Sequence, residues 1–448
     1  MNNHLDTLSL ALSKAHAAGA DAADAVIFES VDISASERLG KPEGLERSES
    51  KGLGLRSFVG KRQAIVSSTD MSKDAIGELA ERVVAMAKCA PEDADSTLAD
   101  ASLYVQEKPA LDLFDDKEPD AKWLAEQCHE AEETARAVNG ITNSEGADAS
   151  YGKNIISLGI ARGKDVCFAE SYPSSFFSVS VSVLAGEGTA MERDYDYSTT
   201  RHRADLKNAK DIGEEAAKRA LKRLNPRKIS TCKVPVVFDP RVGKGLLGIF
   251  ASAASGSAIA RGSSFLKDSM GKNIFPETIS IIDDPHKVRG LASKPFDGEA
   301  VANQKLAMVE NGTLQSWFLD TRTASKLGLK TTGHASRGLA SAPSPSSSNL
   351  YIENGSLSPA ELIKDIKSGF YVTETFGMGV NIVTGDYSQG ASGFWIENGE
   401  IVYPVSELTI AGGLRDMFGG LTPANDLAFH YATNAPTLRV ESMTVAGS

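Results

Sequence analysis

Apolar residues recur at every third or fourth position in four segments of the first half of the chain, which is the spacing of a helix with one buried face. In the first segment Leu5, Leu8 and Leu12 share a face, and Gly19 is placed to cap the C-terminus. The second segment begins with Ser72 as N-cap, because a serine hydroxyl can accept from the free N–H groups of a first helical turn. The predicted helices run from Leu5 to Gly19, from Ser72 to just before Pro91, from Pro119 to Gly140 and from Asp211 to Leu224.

Short apolar runs and strict alternation predict the strands of the same half. The clearest alternation runs from Phe177 to Val183, where every second residue is apolar. The other predicted strands are Ala25 to Phe28, a hairpin of Leu53 to Phe58 with Gln63 to Ser67, Ile155 to Ala161, and Val166 to Glu170. The segment from Ser34 to Ser50 is charged and contains glycine and proline, so it is predicted to be an exposed loop.

The helix stop at Asn225-Pro226 marks a predicted domain boundary, which gives domains of residues 1–228 and 229–448. The second domain contains Glu-Asn-Gly triplets at 310–312, 353–355 and 397–399, and Asn-Gly favours a type I′ hairpin turn. The second domain also contains a capping box at 358–361, which predicts the start of a helix, and a Ser/Pro-rich loop at 340–349. The predicted fold class is α+β. It combines an N-terminal domain of β-hairpins and antiparallel sheet, with several helices, and a mostly antiparallel C-terminal domain with two or three helices.

Composition excludes several classes of protein. The chain of 448 residues carries a formal net charge of −12. Nucleic-acid binding relies on Lys and Arg to neutralise phosphates, so we expect no direct nucleic-acid contact. No apolar run approaches about 18 residues, so we expect no membrane span. The start of the chain lacks the basic and apolar regions of a signal peptide. These features predict a cytoplasmic protein.

Metal-binding patterns are missing from the sequence. The four cysteines and seven histidines are dispersed, with no C-x-x-C pair and no two histidines at i and i+4. Such pairs are typical of zinc sites. The sequence also has no G-x-S-x-G elbow and no G-x-x-x-x-G-K-[ST] loop. We therefore expect no metal and no other cofactor on this chain.

Repeated glycines interrupt the β-branched and aromatic residues between Thr373 and Gly399. Two interpretations stay open. The segment forms a groove in which an extended peptide adds as a strand, or it forms a tightly turned sheet that packs on itself. Under the first interpretation, the residues that bind substrate or partner are Gly377, Gly379, Asn381, Gly385, Asp386, Tyr387, Gly390 and Gly393.

Residues 369–418, GFYVTETFGMGVNIVTGDYSQGASGFWIENGEIVYPVSELTIAGGLRDMF, resemble the C-terminal signature of the TldD/PmbA family. The members of this family are metalloprotease-related proteins that are also called modulators of DNA gyrase. Other segments resemble the family in the right order along almost the whole chain. They are Gly54–Gly60, Met191–Tyr195, Phe296–Glu299 and Leu327–His334.

The resemblance implies two branches. One, the TldD branch, carries a zinc-binding H-E-x-x-x-H helix and a distant cysteine ligand, whereas the PmbA/TldE branch lacks the motif. Here Leu247, Gly248 and Ser252 stand where the first histidine, the glutamate and the second histidine would be. Leucine and glycine cannot bind zinc, and no cysteine lies between Asn425 and Val440. The chain is therefore identified as resembling the PmbA/TldE branch.

This resemblance implies a subunit that is inactive alone and pairs with a zinc-bearing TldD-like protease to hydrolyse peptides or unfolded polypeptides. In isolation, the sheet-rich C-terminal half is also compatible with a homodimer. Two alternatives stay open. One is a self-sufficient peptidase that uses His334 with Asp386 and a serine. The other is a regulatory binding protein that acts on a nucleic-acid enzyme through protein contacts.

Overall fold

The computed structural model describes residues 2–447. The helices are α1 (Asn2–Ala17), α2 (Lys73–Cys89), α3 (Ala121–Arg136), α4 (Ala209–Lys222), α5 (Pro240–Ala253), α6 (Gly256–Ala260), α7 (Thr321–Leu327), α8 (Pro359–Ile363) and α9 (Leu414–Gly419). The first strands are β1 (Ala22–Arg38), β2 (Lys41–Val59), β3 (Arg62–Ser68), β4 (Ile141–Arg162), β5 (Asp165–Ala185) and β6 (Glu192–Thr200). The others are β7 (Cys232–Phe238), β8 (Ile281–Asp283), β9 (Leu306–Glu310), β10 (Thr313–Leu314), β11 (Ala335–Ser336), β12 (Ser344–Pro345), β13 (Leu350–Ile352), β14 (Ser368–Phe376), β15 (Val380–Asn381), β16 (Asp386–Glu397), β17 (Glu400–Gly413), β18 (Leu421–Pro423), β19 (Thr433–Asn434) and β20 (Leu438–Ala446).

The first half of the chain forms one six-stranded antiparallel sheet in the order β3-β2-β1-β4-β5-β6. Successive side chains of a strand point to opposite faces. On β1, Ala25 and Ile27 pack with α1 and α2, and Ile33 packs with α3 and α4. Val26, on the opposite face, packs with Phe296 of the second half. The four long helices therefore cover one face of the sheet, and part of the other face contacts the second half.

Residues 34–50 do not form the predicted loop. They belong to β1 and β2, which pair across a tight turn at Leu39 and Gly40, where φ is 53° and 72°. Nearly all side chains of residues 41–50 are exposed, on both faces of the strand. Because no face is buried there, the sequence shows no apolar alternation, and only backbone pairing with β1 defines the strand.

Three further predictions for the first half need correction. The two separate strands Val166–Glu170 and Phe177–Val183 are one strand, β5, and the predicted strand Ile155–Ala161 is the end of the 22-residue β4. The third helix begins after Asp120, whose side chain accepts from Trp123 N at 2.8 Å, so Pro119 precedes the N-cap. The predicted Ser72 cap of α2 is confirmed, since its hydroxyl accepts from Ala75 N.

The second half combines a closed sheet with a smaller one. Strand β14 pairs with β7 on one side and β16 on the other, which closes the circuit β14-β7-β20-β17-β16 into a barrel-like sheet. The second sheet has the order β10-β9-β8-β13-β19. A large core that includes Phe238, Phe250 and Phe418 fills the space between them and α5. This confirms the predicted α+β class. In the described part of this half, α5 is joined by four short helices, more than the two or three predicted.

The Asn-Gly prediction is confirmed for two triplets and wrong for the third. Asn311-Gly312 and Asn398-Gly399 both have positive φ and join β9 to β10 and β16 to β17. At Gly355 no hairpin forms. A Cβ there would lie 1.9 Å from the carbonyl oxygen of Pro423, so the glycine permits a close backbone approach instead. The capping box at Ser358 is confirmed.

Ion pairs connect the two halves. Arg223, which caps α4, donates to Glu374 of β14 at 2.7 Å, and Arg241 of α5 donates to Asp194 of β6 at 3.0 Å. Asp194 lies in the polar and aromatic segment of residues 193–197, and its carboxylate is buried. None of the helices in residues 2–447 is long and apolar enough to cross a membrane.

Candidate functional site

Helix α5 carries Leu247, Gly248 and Ser252, the three positions that correspond to the zinc motif of the TldD branch. The helix begins with Asp239, which accepts from Arg241 N at 2.9 Å, followed by Pro240 in the first turn. Leu247 is 1% exposed and points into the core, whereas Gly248 and Ser252 are exposed. Consecutive helical residues point about 100° apart, and residues four apart share a face. The structure therefore brings together Gly248 and Ser252 but places Leu247 on a different face. The helix does not continue through Ile259, because α5 ends at Ala253 and α6 begins at Gly256.

Gly248 and Ser252 line a cavity of about 410 Å³. Its walls come from α5 and α6, from the loop after β12, and from the hairpin that joins β15 to β16. The lining residues are Gly248, Ala251, Ser252, Ser255, Ala258, Arg261, Phe318, Pro345, Ser346, Ser347 and Ile382. Most of these side chains are small, so the polypeptide backbone lies close to the space. Ile382 follows Asn381 directly, and the cavity thus joins the helix positions to the glycine-rich segment.

The chemistry of the lining does not fit a zinc ion. Zinc in proteins is bound by cysteine thiolate, histidine nitrogen or carboxylate oxygen, and none of the lining residues offers one. The Ser252 hydroxyl donates to the carbonyl oxygen of Gly248 at 2.9 Å, within the helix. Across residues 2–447, no three His, Cys, Asp or Glu side chains are grouped closely enough to hold a metal. Arg261 is the charged residue of the lining, and it is exposed.

Three of the eight glycine-segment residues have a packing role. A Cβ on Gly379 would lie 1.8 Å from the Ser388 carbonyl oxygen, and one on Gly393 would lie 2.0 Å from that of Tyr371. A Cβ on Gly390 would meet the Phe376 ring at 2.1 Å. Glycine in a strand commonly marks such close approaches. Both edges of β16 are already paired, with β14 and β15 on one side and β17 on the other, so no main-chain edge is free at Gly390 or Gly393.

The other five residues form the end of the hairpin. Gly377 and Asn381 are exposed, and Asn381 Oδ1 accepts from Val383 N at 2.9 Å. Asp386 is exposed and accepts from Thr384 Oγ1 at 2.5 Å. Gly385 is buried against Phe265 with φ of 86°. The Tyr387 ring is also buried, which raises the pKa of its hydroxyl, and this hydroxyl donates to Gln389 Oε1. Gly377, Gly379, Asn381 and Asp386 are thus the exposed members of the predicted set, and Gly379 is the one of them that also has a packing role.

The alternative site predicted from His334 and Asp386 is wrong, because His334 contacts Asp283 and not Asp386. His334 is 2% exposed, and its Nε2 lies 3.1 Å from Asp283 Oδ2. Its Nδ1 lies 2.9 Å from Thr332 Oγ1, so both ring nitrogens are engaged. Ser348, which could have supplied a hydroxyl, donates to Asp283 instead. The group is a buried structural network and offers no accessible nucleophile.

Sequence reasoning missed Arg261, Ser346 and Ser347 as cavity residues. Arg261 follows the helix positions in the chain, but nothing local indicates that its side chain borders a space. Ser346 and Ser347 belong to the Ser/Pro-rich loop, which folds onto α5 and α6 from about a hundred residues away in the sequence. The one available signal was the composition of that loop, since small polar residues suit a backbone that lines a cleft.

Models of one family match this chain in three consecutive segments. They are PmbA/TldA metallopeptidase domain 1 at residues 23–87, the central domain at residues 112–224 and the C-terminal domain at residues 231–447. Together they span most of the chain in the order found in the family.

Individual relatives agree with these models. The chain is 38% identical to Metalloprotease PmbA of Escherichia coli O157:H7, over 95% of this chain and 92% of that protein. It is also 38% identical to a homologue from Haemophilus influenzae, over 98% and 95%. A crystal structure from Bacteroides thetaiotaomicron, described as a modulator of DNA gyrase, superposes with a TM-score of 0.89 at 27% identity and covers both chains fully. The structure of TldE from Thermococcus kodakarensis shares the fold, with a TM-score of 0.85 at 21% identity over 97% of this chain and 99% of that one. The chain therefore belongs to the PmbA/TldD family of metalloprotease-related proteins.

Proposed function

We propose that this chain is the zinc-free, PmbA/TldE-type subunit of a two-subunit peptidase. The proposal rests on where α5 places the three residues that correspond to the zinc motif. Leu247 is in the core, and Gly248 and Ser252 border a cavity whose lining has no zinc ligand. Zinc and the activated water that cleaves a peptide bond would then belong to a TldD-like partner, as in other zinc peptidases.

The substrate in this proposal is a peptide or an unfolded polypeptide in an extended conformation. A volume of about 410 Å³ is within the usual range of ligand sites. The small side chains of the lining leave backbone groups accessible, and main-chain hydrogen bonds bind extended peptides without regard to their sequence. Arg261 supplies positive charge for an acidic side chain or a terminal carboxylate. Gly377, Asn381 and Asp386 are the hairpin residues that we assign to substrate or partner.

The end of the same hairpin supports contact with another protein. Phe376 and Val383 are 53% and 54% exposed, and Met378 is fully exposed. Apolar residues grouped at the surface commonly mark an interaction site. The acidic chain is suited to a protein partner and not to direct contact with nucleic acid. The cytoplasmic location expected from the sequence belongs to the same proposal.

Metal analysis and co-purification test this assignment. The pure chain, after dialysis against zinc and then against buffer, is expected to retain no stoichiometric zinc. A tagged chain is expected to co-purify with a TldD-like protein when the two are expressed together. One tightly held zinc per chain would overturn the zinc-free assignment. Failure to associate with any TldD-like protein would overturn the partner assignment and leave the isolated chain, or its homodimer, as the functional unit.

A further inference from the structure

Strand β3 forms one edge of the six-stranded sheet, and one side of its backbone is unpaired. It pairs with β2 alone, across a two-residue turn at 60–61. Residues of an antiparallel hairpin alternate between bonding to the partner strand and pointing away from it. The N–H and C=O groups of Gln63, Ile65 and Ser67 therefore point outward, and none of them has a hydrogen-bond partner within residues 2–447.

The hydrogen bond of Phe58 fixes this alternation. Phe58 lies opposite Gln63, and its carbonyl oxygen accepts from Asp21 N at 2.9 Å, on the side of β2 that faces β1. Phe58 and Gln63 thus exchange no hydrogen bonds with each other, which leaves the backbone groups of Gln63 on the free side. The alternation then places those of Ile65 and Ser67 on the same side.

The other free edges of this sheet are protected. On β2, residues 41–50 pair only with β1, but this segment carries charges of both signs and a proline. On β6, the Tyr195 carbonyl oxygen accepts from Arg219 Nη1 at 3.3 Å and from Arg241 Nη1 at 3.4 Å. Charges, proline and covering side chains are the usual means by which proteins prevent edge pairing. Residues 63–68 contain no charge and no proline.

Apolar side chains accompany this free edge. Val66 packs with the core beneath α2, so Ile65 lies on the opposite face, where it is partly exposed. On the helix-covered face, α1 packs on β1 and β4, and α2 packs on β2 and β3. Lys88 of α2 donates to the carbonyl oxygen of Ala18, just after α1. Met86 is two residues earlier, about 200° around the helix. Its side chain, 46% exposed, therefore points away from α1, on the side of the β3 edge.

We propose that a second copy of this chain pairs with β3 through its own β3, about a twofold axis beside Ile65. The two strands run antiparallel, with Ile65 opposite its counterpart and Gln63 opposite Ser67 of the other copy. The outward backbone groups then bond between the copies, and the two six-stranded sheets join into one. Because such an axis is perpendicular to the sheet, both α2 helices lie on the same side, with Met86 of each directed toward the other copy.

Charges at the ends of β3 favour a second copy as the occupant. Lys61 precedes the strand and Asp70 follows it, and both are exposed. Neither forms an ion pair among residues 2–447. Antiparallel pairing centred on Ile65 brings Lys61 of each copy beside Asp70 of the other. No like charges face each other along the strands, because residues 63–68 are uncharged.

This interface goes beyond the proposed function and does not depend on it. The partner contact proposed above uses the hairpin end around Met378, in the second half of the chain, whereas β3 is at the edge of the first sheet. Both surfaces can be occupied at once, which would join two copies that each hold a TldD-like partner.

Sedimentation velocity of the full chain tests the pairing. We expect a monomer–dimer equilibrium with a Kd on the order of 10 µM, because one strand pair gives a small interface. Ile65→Lys and Ile65→Glu each place like charges opposite each other across the axis. Each should raise the Kd by at least about tenfold, and an equimolar mixture of the two variants should dimerise again. Val166→Lys changes a 46% exposed valine of β5 and should leave the Kd unchanged.

Ser67→Pro is a second test of the same edge. It removes an outward N–H and leaves the bonds between β3 and β2, so it should also weaken the dimer. Circular dichroism confirms that each variant is folded. A parent chain that stays monomeric up to about 500 µM would overturn the proposal. A dimer that no Ile65 variant weakens, or a mixture of the two charged variants that stays monomeric, would also overturn it. If the parent chain were monomeric and Ile65→Lys abolished its association with a TldD-like protein, the edge would belong to that partner instead.

Discussion

Arg337 Nη1 lies 2.5 Å from Asp24 Oδ1, although the two residues are 313 positions apart in the sequence. Their side chains are 2% and 1% exposed. Asp24 is on β1 of the first sheet, and Arg337 directly follows β11, so the pair connects the two halves of the chain inside the protein. Arg56 of β2 donates to the other oxygen of Asp24, which gives the carboxylate two cationic partners and lowers its pKa despite the opposing effect of burial.

Removal of the Asp24 charge should destabilise the protein strongly. In Asp24→Ala both Arg56 and Arg337 lose their partner while buried, so the free energy of unfolding should fall by about 3–5 kcal/mol. Glu407→Ala is the matched control. It breaks the Lys228–Glu407 pair, whose side chains are 67% and 72% exposed, and should change stability by less than about 1 kcal/mol. Chemical denaturation measures both, and similar small effects would refute the structural role of the buried pair.

Glu299 should make stability depend on pH near neutrality. Burial, followed by the charge of Asp297, raises the pKa of Glu299 to about 7 from 4.5. The folded state therefore binds a proton that the unfolded state has lost, and stability falls as pH rises between these two values. Above about pH 7 this contribution stays constant. Glu299→Gln should show a smaller loss of unfolding free energy between about pH 5 and pH 8 than the parent chain. An identical pH dependence in both would contradict the buried carboxylic acid.

Introducing the zinc motif of the TldD branch into α5 should not create a zinc site. Leu247→His places a polar ring in the core and should destabilise the protein by about 2–5 kcal/mol. Gly248→Glu and Ser252→His alter exposed positions and should be tolerated. The triple variant should therefore unfold more easily than the Gly248→Glu/Ser252→His double variant. Neither should retain zinc on dialysis, and stoichiometric zinc in the triple variant would show that position 247 can face the cavity.

Two glycine substitutions separate packing from conformational freedom. Gly393→Ala puts a Cβ against the Tyr371 carbonyl oxygen and should destabilise the protein by at least about 2 kcal/mol. Gly245→Ala in α5 meets no atom within 4 Å and should stabilise by about 0.5–1 kcal/mol, because alanine favours a helix. Thermal denaturation compares the two. A tolerated Gly393→Ala would contradict the close approach of β14 and β16 at this position.

Arg261 provides a test of substrate charge in the reconstituted peptidase. Arg261→Glu should raise the KM for an acidic peptide by about tenfold and affect a neutral peptide less, because the cavity loses its cation. Lys267→Glu changes a nearby exposed residue outside the cavity lining and is the control for general surface charge. If the two variants had equal effects on both peptides, Arg261 would have no specific contact with the substrate.

The sequence correctly predicted those caps and turns whose structure depends only on residues adjacent in the chain. Ser72 caps α2, and Asn398-Gly399 turns β16 into β17, because each motif satisfies its own backbone geometry. Residues 34–50 were mistaken for a loop because the β2 part, residues 41–50, buries no face, so pairing with β1 determines its structure. The same limit applies to the site. Gly248 and Ser252 were singled out by resemblance, but the loop that completes the cavity approaches from residues 345–347. No pattern in the residues around Gly248 and Ser252 predicts that this loop lies beside α5.

The most direct test of the central claim is a peptidase assay on separate and mixed subunits. Hydrolysis of an unfolded polypeptide is measured with this chain alone, with a zinc-bearing TldD-like partner alone, and with an equimolar mixture. We predict no hydrolysis by this chain, and hydrolysis by the mixture that exceeds the partner alone by at least about tenfold and is abolished by a zinc chelator. Hydrolysis by this chain alone that persists in the presence of the chelator would contradict the account.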